Sequence, residues 1–404
     1  MRARGALFIG AVAAWWWTGS ARADDERRTE VHGFVSEGAF ISTANDYIGT
    51  SSRGSLEMFE AGLNVSSEIT DRLRAGVQLF ARDVGAFHDL PRIDWAFLQY
   101  QHRRWLGFRA GVVKMPFGLY NEYADIDAAR VPILMPQGVY SVRNREALLA
   151  HRGFALYGTV PIARAGELDY QVWLGTLIIP DNAISISSNA RLDGIDTRYV
   201  TGGQVFWHPP VDGLRLGGSY VRTSIDFRVT VDAATTAALL AAGIVPPSFD
   251  GSLVISQRPA TLAIASAEYQ HGRWMFAGEY ARVYKRERST IPVALPTRDS
   301  DGELFYGMAT YQLTRCHALG AYYSVQHPDV DDRGGRDRTK FPERHFAFQR
   351  DLAATLRFDV NEHWLWKAEA HFIDGVADLT LDPLSDAKPA RRWGLFLVRT
   401  TVTF

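Results

Sequence analysis

Apolar and polar residues alternate with a period of two along most of this 404-residue chain. Leu352, Ala354, Leu356, Phe358 and Val360 share one side of such a stretch, with Asp351, Ala353, Thr355, Arg357 and Asp359 between them. Leu73, Ala75, Val77, Leu79 and Ala81 alternate in the same way with Arg74, Gly76, Gln78 and Arg82. Trp364, Trp366, Ala368, Ala370 and Phe372 oppose Lys367, Glu369 and His371. Successive side chains of a β-strand point to opposite faces, so this period predicts strands with one apolar and one largely polar face. No helical period of comparable length competes. The pattern predicts sixteen strands, over residues 31–43, 54–69, 72–83, 92–102, 104–114, 152–161, 166–179, 197–208, 213–229, 257–271, 272–286, 302–315, 316–327, 345–360, 362–377 and 391–404.

The joins between these segments alternate in length. Those after even-numbered segments are tight, as at Thr70-Asp71-Arg72, His102-Arg103-Arg104, Arg164-Ala165-Gly166, His271-Gly272-Arg273 and Asn361-Glu362-His363. Those after odd-numbered segments are long, notably 115–151, 180–196, 230–256 and 328–344. Short turns at one end and long loops at the other characterise transmembrane antiparallel β-barrels, with the turns on the periplasmic side. An even strand count places both chain ends there. The expected fold class is all-β: a transmembrane antiparallel β-barrel of about sixteen strands, in contact with the lipid of a Gram-negative outer membrane. A four-bladed propeller would show blade repeats, and none is present. A soluble barrel would turn its apolar face inward and leave strands of this length with a large polar exterior.

Composition is consistent with this. The chain is 47% hydrophobic, and no apolar run of about 18 residues follows the N-terminus, which excludes a helical membrane protein. A barrel is not excluded, because its lipid-facing and lumen-facing residues average out. Residues 1–23 read as a cleaved secretion signal: Arg2 and Arg4 precede an apolar core over Gly5–Trp17, and Ala21-Arg22-Ala23 is a small-x-small cleavage site. The barrel domain then spans 24–404. Removing Arg2, Arg4 and Arg22 takes the formal charge from −1 to −4, which argues against a nucleic-acid partner. The single cysteine, Cys316, excludes an internal disulfide. Trp105, Trp207, Trp274 and Trp364 stand beside predicted turns, and Trp393 opens the last strand near the other rim, as in interfacial aromatic girdles. The chain ends in Phe404, with Val402, Thr400, Val398 and Phe396 on its face. A terminal aromatic on an alternating strand resembles the recognition signal of outer-membrane barrels.

One stretch breaks the alternation. From Met115 to Arg152, prolines, acids and arginines crowd together after the fifth segment. Pro116, Pro132 and Pro136 each remove a ladder donor, and Gly118 and Gly138 supply turn freedom. In this order of elements the chain resembles the trimeric sixteen-stranded porins, whose third outer loop joins strands five and six and folds inward as a constriction. Val113-Lys114-Met115-Pro116-Phe117-Gly118-Leu119 also resembles the Lys-x-Pro-Phe-Gly-Leu stretch of phosphate-selective porins and their carboxylate-transporting relatives. The resemblance implies an inward-folded loop 115–151 and a homotrimer. It departs from the phosphate-selective group in that only five of the 44 basic residues are lysines.

A channel of sixteen strands is wide enough for water, and its narrowest ring of side chains decides what passes. The candidates for that ring are Glu122, Asp125 and Asp127 on the loop, Arg74, Arg82 and Arg109 on the facing wall, and Arg143, Arg145 and Arg152 where the loop returns. Acids opposite arginines would set a transverse field across the pore. The plainer alternative is that these charges are solvated or pair locally to hold the loop to the wall. Tyr120, Tyr123 and Tyr140 read better as packing of the folded loop than as sugar contacts. Catalysis has little support. Ser36, His32, His371 and Asp374 have no motif spacing, His151 and His345 stand alone, and neither Gly-x-Ser-x-Gly nor His-Glu-x-x-His occurs. No cofactor or metal cluster is expected. The reading is a porin passing small hydrophilic, slightly preferentially anionic, solutes. The alternative is an outer-membrane enzyme or an adhesion barrel with a closed lumen.

Overall fold

The computed structural model describes residues 29–85, 87–143, 145–179, 189–379 and 388–404. The expected signal at 1–23 and most of the connection expected at 180–196 lie outside the described residues. Sixteen strands follow one another: β1 Thr29–Ser42, β2 Met58–Thr70, β3 Leu73–Val84, β4 Phe87–Arg103, β5 Leu106–Lys114, β6 Ala150–Pro161, β7 Glu167–Leu177 and β8 Ala190–His208. Then come β9 Leu214–Val231, β10 Ser252–His271, β11 Trp274–Ser289, β12 Arg298–Gln312, β13 His317–His327, β14 Gln349–Asp359, β15 Trp364–Gly375 and β16 Arg392–Thr403. Each pairs antiparallel with its sequence neighbour, and β16 pairs with β1, closing the barrel. Backbone bonds between Gly33 and Phe404, at 2.9 and 3.0 Å, join β1 to the end of β16 at the short-turn end.

The period-two pattern produces a barrel that is inside-out relative to a soluble one. On β15, Trp364, Trp366 and Phe372 are exposed, while Leu365, Lys367, Glu369, His371 and Ile373 are buried. Phe154 is 70% exposed on β6 and Phe372 59% on β15, whereas fully or nearly buried polar groups such as Ser36, Gln78, Glu279 and Arg399 face the lumen. Large apolar side chains left in contact with solvent in this number require an apolar medium to cover them. Trp105, Trp207, Trp274 and Trp364 are all exposed near the short turns. Trp393 departs from the girdle expected of it. It is 4% exposed, packs 5.6 Å from the Tyr47 ring, and donates to the Gly375 carbonyl.

The strands β8–β12 extend further from the turn end than the alternation suggested. β8 begins at Ala190 and β10 at Ser252, whereas the alternation predicts starts at 197 and 257. An apolar cluster of Val229, Val245, Leu253 and Ile291 holds these extensions together. The connection between β9 and β10 contains a helix, Ala233–Ala241, absent from the sequence reading. Asp232 caps it by accepting from the Thr235 N–H at 2.7 Å.

Candidate pore constriction

Among the described residues, the longest excursion inside the barrel is the segment between β5 and β6, 115–143 and 145–149. Its base is closed by the Met115 N–H donating to the Leu149 carbonyl at 2.9 Å, and Asn121 ties both sides by donating to the Met115 and Leu148 carbonyls. Between these ends the chain visits three sectors of the inner wall, and each contact has its own chemistry.

The first sector is β8–β12. Gly118 donates its N–H to Ser219 of β9 and accepts from Gln204 of β8. The Glu279 carboxylate of β11 accepts from the Leu119 N–H at 2.8 Å, and also from the hydroxyls of Tyr140, Tyr306 and Ser266. Gly118 has a φ of +58°, and a Cβ there would press on the Tyr140 hydroxyl and lie 2.9 Å from Glu279 Oε1. Glycine therefore permits both the backbone turn and the close approach. Phe117, Tyr120 and Tyr140 pack around this point, and the Tyr120 hydroxyl reaches Glu268 at 2.8 Å. Burial, with Glu279 beside it, raises the Tyr140 phenol well above its usual range.

The second sector is β14–β16. Asp127 accepts from Lys367 at 2.9 Å and from the Thr401 hydroxyl at 2.8 Å, with the Arg399 guanidinium 3.9 Å away. Burial alone would raise the Asp127 carboxyl, but Lys367, Arg399 and Arg130 around it hold it well below the usual carboxylate range. Glu369 receives the consecutive N–H groups of Ile133 and Leu134 at 2.7 and 2.8 Å. His371 bridges Glu369 to Asp351. Arg357 donates to the carbonyls of Ala128 and Arg130.

The third sector is β1–β4 with the loop after β1. Arg145, in a short helix at Arg145–Leu148, reaches Asp125 at 2.7 Å and Asp94 of β4 at 3.0 Å, and its guanidinium lies 4.1 Å from the Phe80 ring centroid. Burial would raise Asp125, but Arg145 and Lys114 together hold it well below the usual carboxylate range. Arg143 donates to the Tyr47 carbonyl, and Arg82 of β3 donates to the Val142 carbonyl.

The candidate residues thus fall into distinct places. Asp125, Asp127, Arg82, Arg143 and Arg145 lie where the loop meets the wall. Arg109 stands 3.8 Å from Glu122, between the rings of Phe97 and Tyr157. Arg74 is near the short-turn end, donating to Ser66 at 2.8 Å. Arg152 is a correction to the candidate set. It shares a face of β6 with the exposed Phe154 and Leu156, opposite the buried His151 and Ala155, so it points away from the lumen. His371 and Asp374 likewise fall on opposite faces of β15, and Asp374 pairs with Arg391 outside. The sequence reading did not single out the loop's partners Lys367, Glu369, Arg399 and Glu279. Their signal was present as charged residues on the polar face of an alternating strand.

Between the loop and the β2–β3–β16 wall lies a cavity of about 60 Å³. Arg82, Arg130, Arg145 and Arg399 line it, against the carboxylates of Glu60 and Asp125. Arg145 also meets Asp94, and Arg130 and Arg399 lie 3.9 Å from Asp127, while Lys114 and Lys367 pair with Asp125 and Asp127, so the cluster around this gap holds six cations against four carboxylates and stays net positive.

A closed sixteen-strand barrel with an apolar outer face, a charged inner face and a long loop bonded across its lumen is a porin-type fold. No protein-family model and no curated protein sequence matches the chain. Solved structures do. OmpF of Salmonella typhi in complex with daunomycin has a TM-score of 0.57 at 12% identity, over 95% of this chain and 99% of that one. The anion-selective porin from Comamonas acidovorans gives 0.55 at 12%, over 94% and 100%. OmpT of Vibrio cholerae gives 0.55 at 12%, over 95% and 100%. At these identities the likeness is one of fold.

Proposed function

We propose that this chain is an outer-membrane porin of a Gram-negative bacterium, passing small hydrophilic solutes with a preference for anions. The observation that carries the preference is the gap between loop and wall, where the surrounding cluster holds six cations against four carboxylates. A narrow constriction with low-dielectric walls strengthens such an imbalance, lowering the barrier for anions and raising it for cations. The segment 115–149 is the constriction in this reading. Its carboxylates Asp125 and Asp127 are spent on holding it in place, which leaves the wall arginines to set selectivity. The preference extends to anions as a class. Lys114 of the phosphate-porin-like motif bonds to the Glu122 carbonyl and to Asp125, which gives it a structural occupation here. A homotrimer is part of the proposal, supported by the fold likeness to OmpT of Vibrio cholerae, one solved structure of which is described as a trimer form.

Planar-bilayer recording tests this. The purified, refolded protein is expected to give stable current steps and a reversal potential on the anion side in a salt gradient. A second reading, a barrel with a closed lumen, is favoured by the tight packing of Met115, Phe117, Ile133 and Leu134 and by the small volume of the gap. A folded protein that inserts and remains silent would decide for the closed barrel.

A further inference from the structure

Two charged side chains point outward from the middle of the apolar band, and they carry opposite signs. Glu37 on β1 and Arg152 on β6 are both exposed, on the strand faces that hold Val35 and Ile41, and Phe154 and Leu156. Their depth follows from the aromatic girdle at the short-turn end, to which the exposed Phe404 and Phe108 belong. Gly33 bonds to Phe404, and Glu37 stands four positions further up β1, in register with Thr400. Leu156 is in register with Phe108, and Arg152 stands four positions further up β6, in register with Val112 and Thr176. Four residues of a tilted strand rise roughly 10 Å, which is near the middle of a band about 25 Å tall. The same step leads from Tyr170 to Leu174, from Leu216 to Tyr220, from Phe276 to Tyr280 and from Leu319 to Tyr323, where each outward side chain is exposed and uncharged.

A charge at this depth is costly in hydrocarbon and calls for a partner. Within one chain the two cannot meet. Five strand spacings of about 4.8 Å separate them around the barrel wall, and neither forms an ion pair among the described residues. The Glu37 carboxylate instead accepts from the N–H of its own neighbour, Gly38, at 3.0 Å. A second copy of the chain supplies what is missing. Rotation about an axis perpendicular to the membrane keeps every side chain at its depth, so only groups at matching depth meet between copies. In a closed ring the contact is head-to-tail, with different patches of the two copies facing each other. Such a contact needs equal depth, opposite sign and separate strands, and Glu37 and Arg152 have all three.

We propose that Glu37 of one copy pairs with Arg152 of the next, inside the membrane-embedded contact of a cyclic homotrimer. The outward faces of β1 and β6 are then its two contact patches. The proposal rests on the homotrimer of the porin reading and names the residues that join it. The test uses the full mature chain refolded in detergent, with oligomers counted by native mass spectrometry across a dilution series. E37R and R152E each set like charges against one another and are expected to raise the half-dissociation concentration at least ten-fold. E37R/R152E is expected to return it to within about three-fold of the unaltered protein. Should a charge swap not refold, E37Q and R152Q serve, each dissociating about three-fold more readily, with E37Q/R152Q no weaker than either. In a C316S background, a short bismaleimide is expected to link E37C/R152C into dimers and trimers, and to leave E37C alone and R152C alone as single chains. Links within either single-cysteine variant, a charge-swapped double no tighter than its parents, or additive losses in the glutamine series each overturn the pair. A trimer whose dissociation none of these substitutions moves overturns the pair and leaves the homotrimer standing. An unaltered protein that stays a single chain in detergent and in vesicles overturns the homotrimer itself.

Discussion

Asp127 of the inner loop and Lys367 of β15 meet at 2.9 Å with neither side chain exposed to solvent. Two ions held away from water cost desolvation energy, which their attraction offsets only while both are present. Removing one leaves an uncompensated buried charge, a loss of about 3–5 kcal/mol, whereas removing both is far milder. Asp127→Asn and Lys367→Met should therefore each destabilise the refolded barrel strongly, and the double variant should recover more than half of the loss. Denaturant unfolding in vesicles, read as a double-mutant cycle, checks this. Strictly additive losses would show that the pair is not coupled.

The loop apex offers a second test. An L-residue in the left-handed conformation costs about 1–2 kcal/mol, and at Gly118 a methyl group also meets the Tyr140 hydroxyl and Glu279. Gly118→Ala should loosen the apex from β11 and raise single-channel conductance, with added current noise. Glu279→Gln, which keeps the shape but removes the charge that four donors share, should act in the same direction more weakly. Conductance identical to the unaltered protein in both variants would mean that this contact does not define the narrow part.

The strands were legible because alternation is a local signal: Leu352 to Phe358 on β14 states its two faces residue by residue. It faded at the outer ends of β8–β12, where Arg228 and Asp196 occupy the outward positions that apolar residues hold lower down, so the contrast between faces disappears. Trp393 was misplaced because the girdle expectation overrode parity. It shares its face with Leu395, Leu397 and Arg399, all buried, and not with Phe396 and Val398. Arg152 failed by the same rule, through its parity with Phe154. The polar face of Lys367, Glu369 and His371 was visible, but its partner was not. Asp127 lies 240 positions away in sequence, and contact across a lumen leaves no trace in local periodicity.

Charge selectivity separates the two kinds of arginine. Arg82 lines the gap beside the loop, and Arg152 points outward from β6. Arg82→Gln should lower the anion-to-cation permeability ratio about two-fold or more, because a charge at the constriction acts at short range in low dielectric. Arg152→Gln should leave the ratio unchanged, its charge being separated from the lumen by the wall. Reversal potentials in a ten-fold salt gradient give the answer. A shift of equal size in both variants would remove Arg82 from the narrow part.

The pH response of the loop follows from Asp125. Its carboxyl, which burial alone would raise, is held well below the usual range by Arg145 and Lys114. A carboxylate depressed on folding contributes stability that is fully present above its unfolded value, near 4, and is lost only as pH falls through the lower folded value. Conductance set by this contact should therefore be flat from neutral pH down to about pH 4. Arg145→Met removes the stronger of the two opposing charges and leaves burial to act against Lys114 alone. The carboxyl should then titrate at or above its ordinary range, and the loop should loosen as pH falls between about 6 and 4. Lys114→Met should displace the transition in the same direction by less, and it leaves the contact between Arg145 and Asp94 intact. Open-channel conductance recorded against pH for the three proteins checks the order. Superimposed curves would mean that Asp125 does not hold the loop, and that its burial belongs to packing alone.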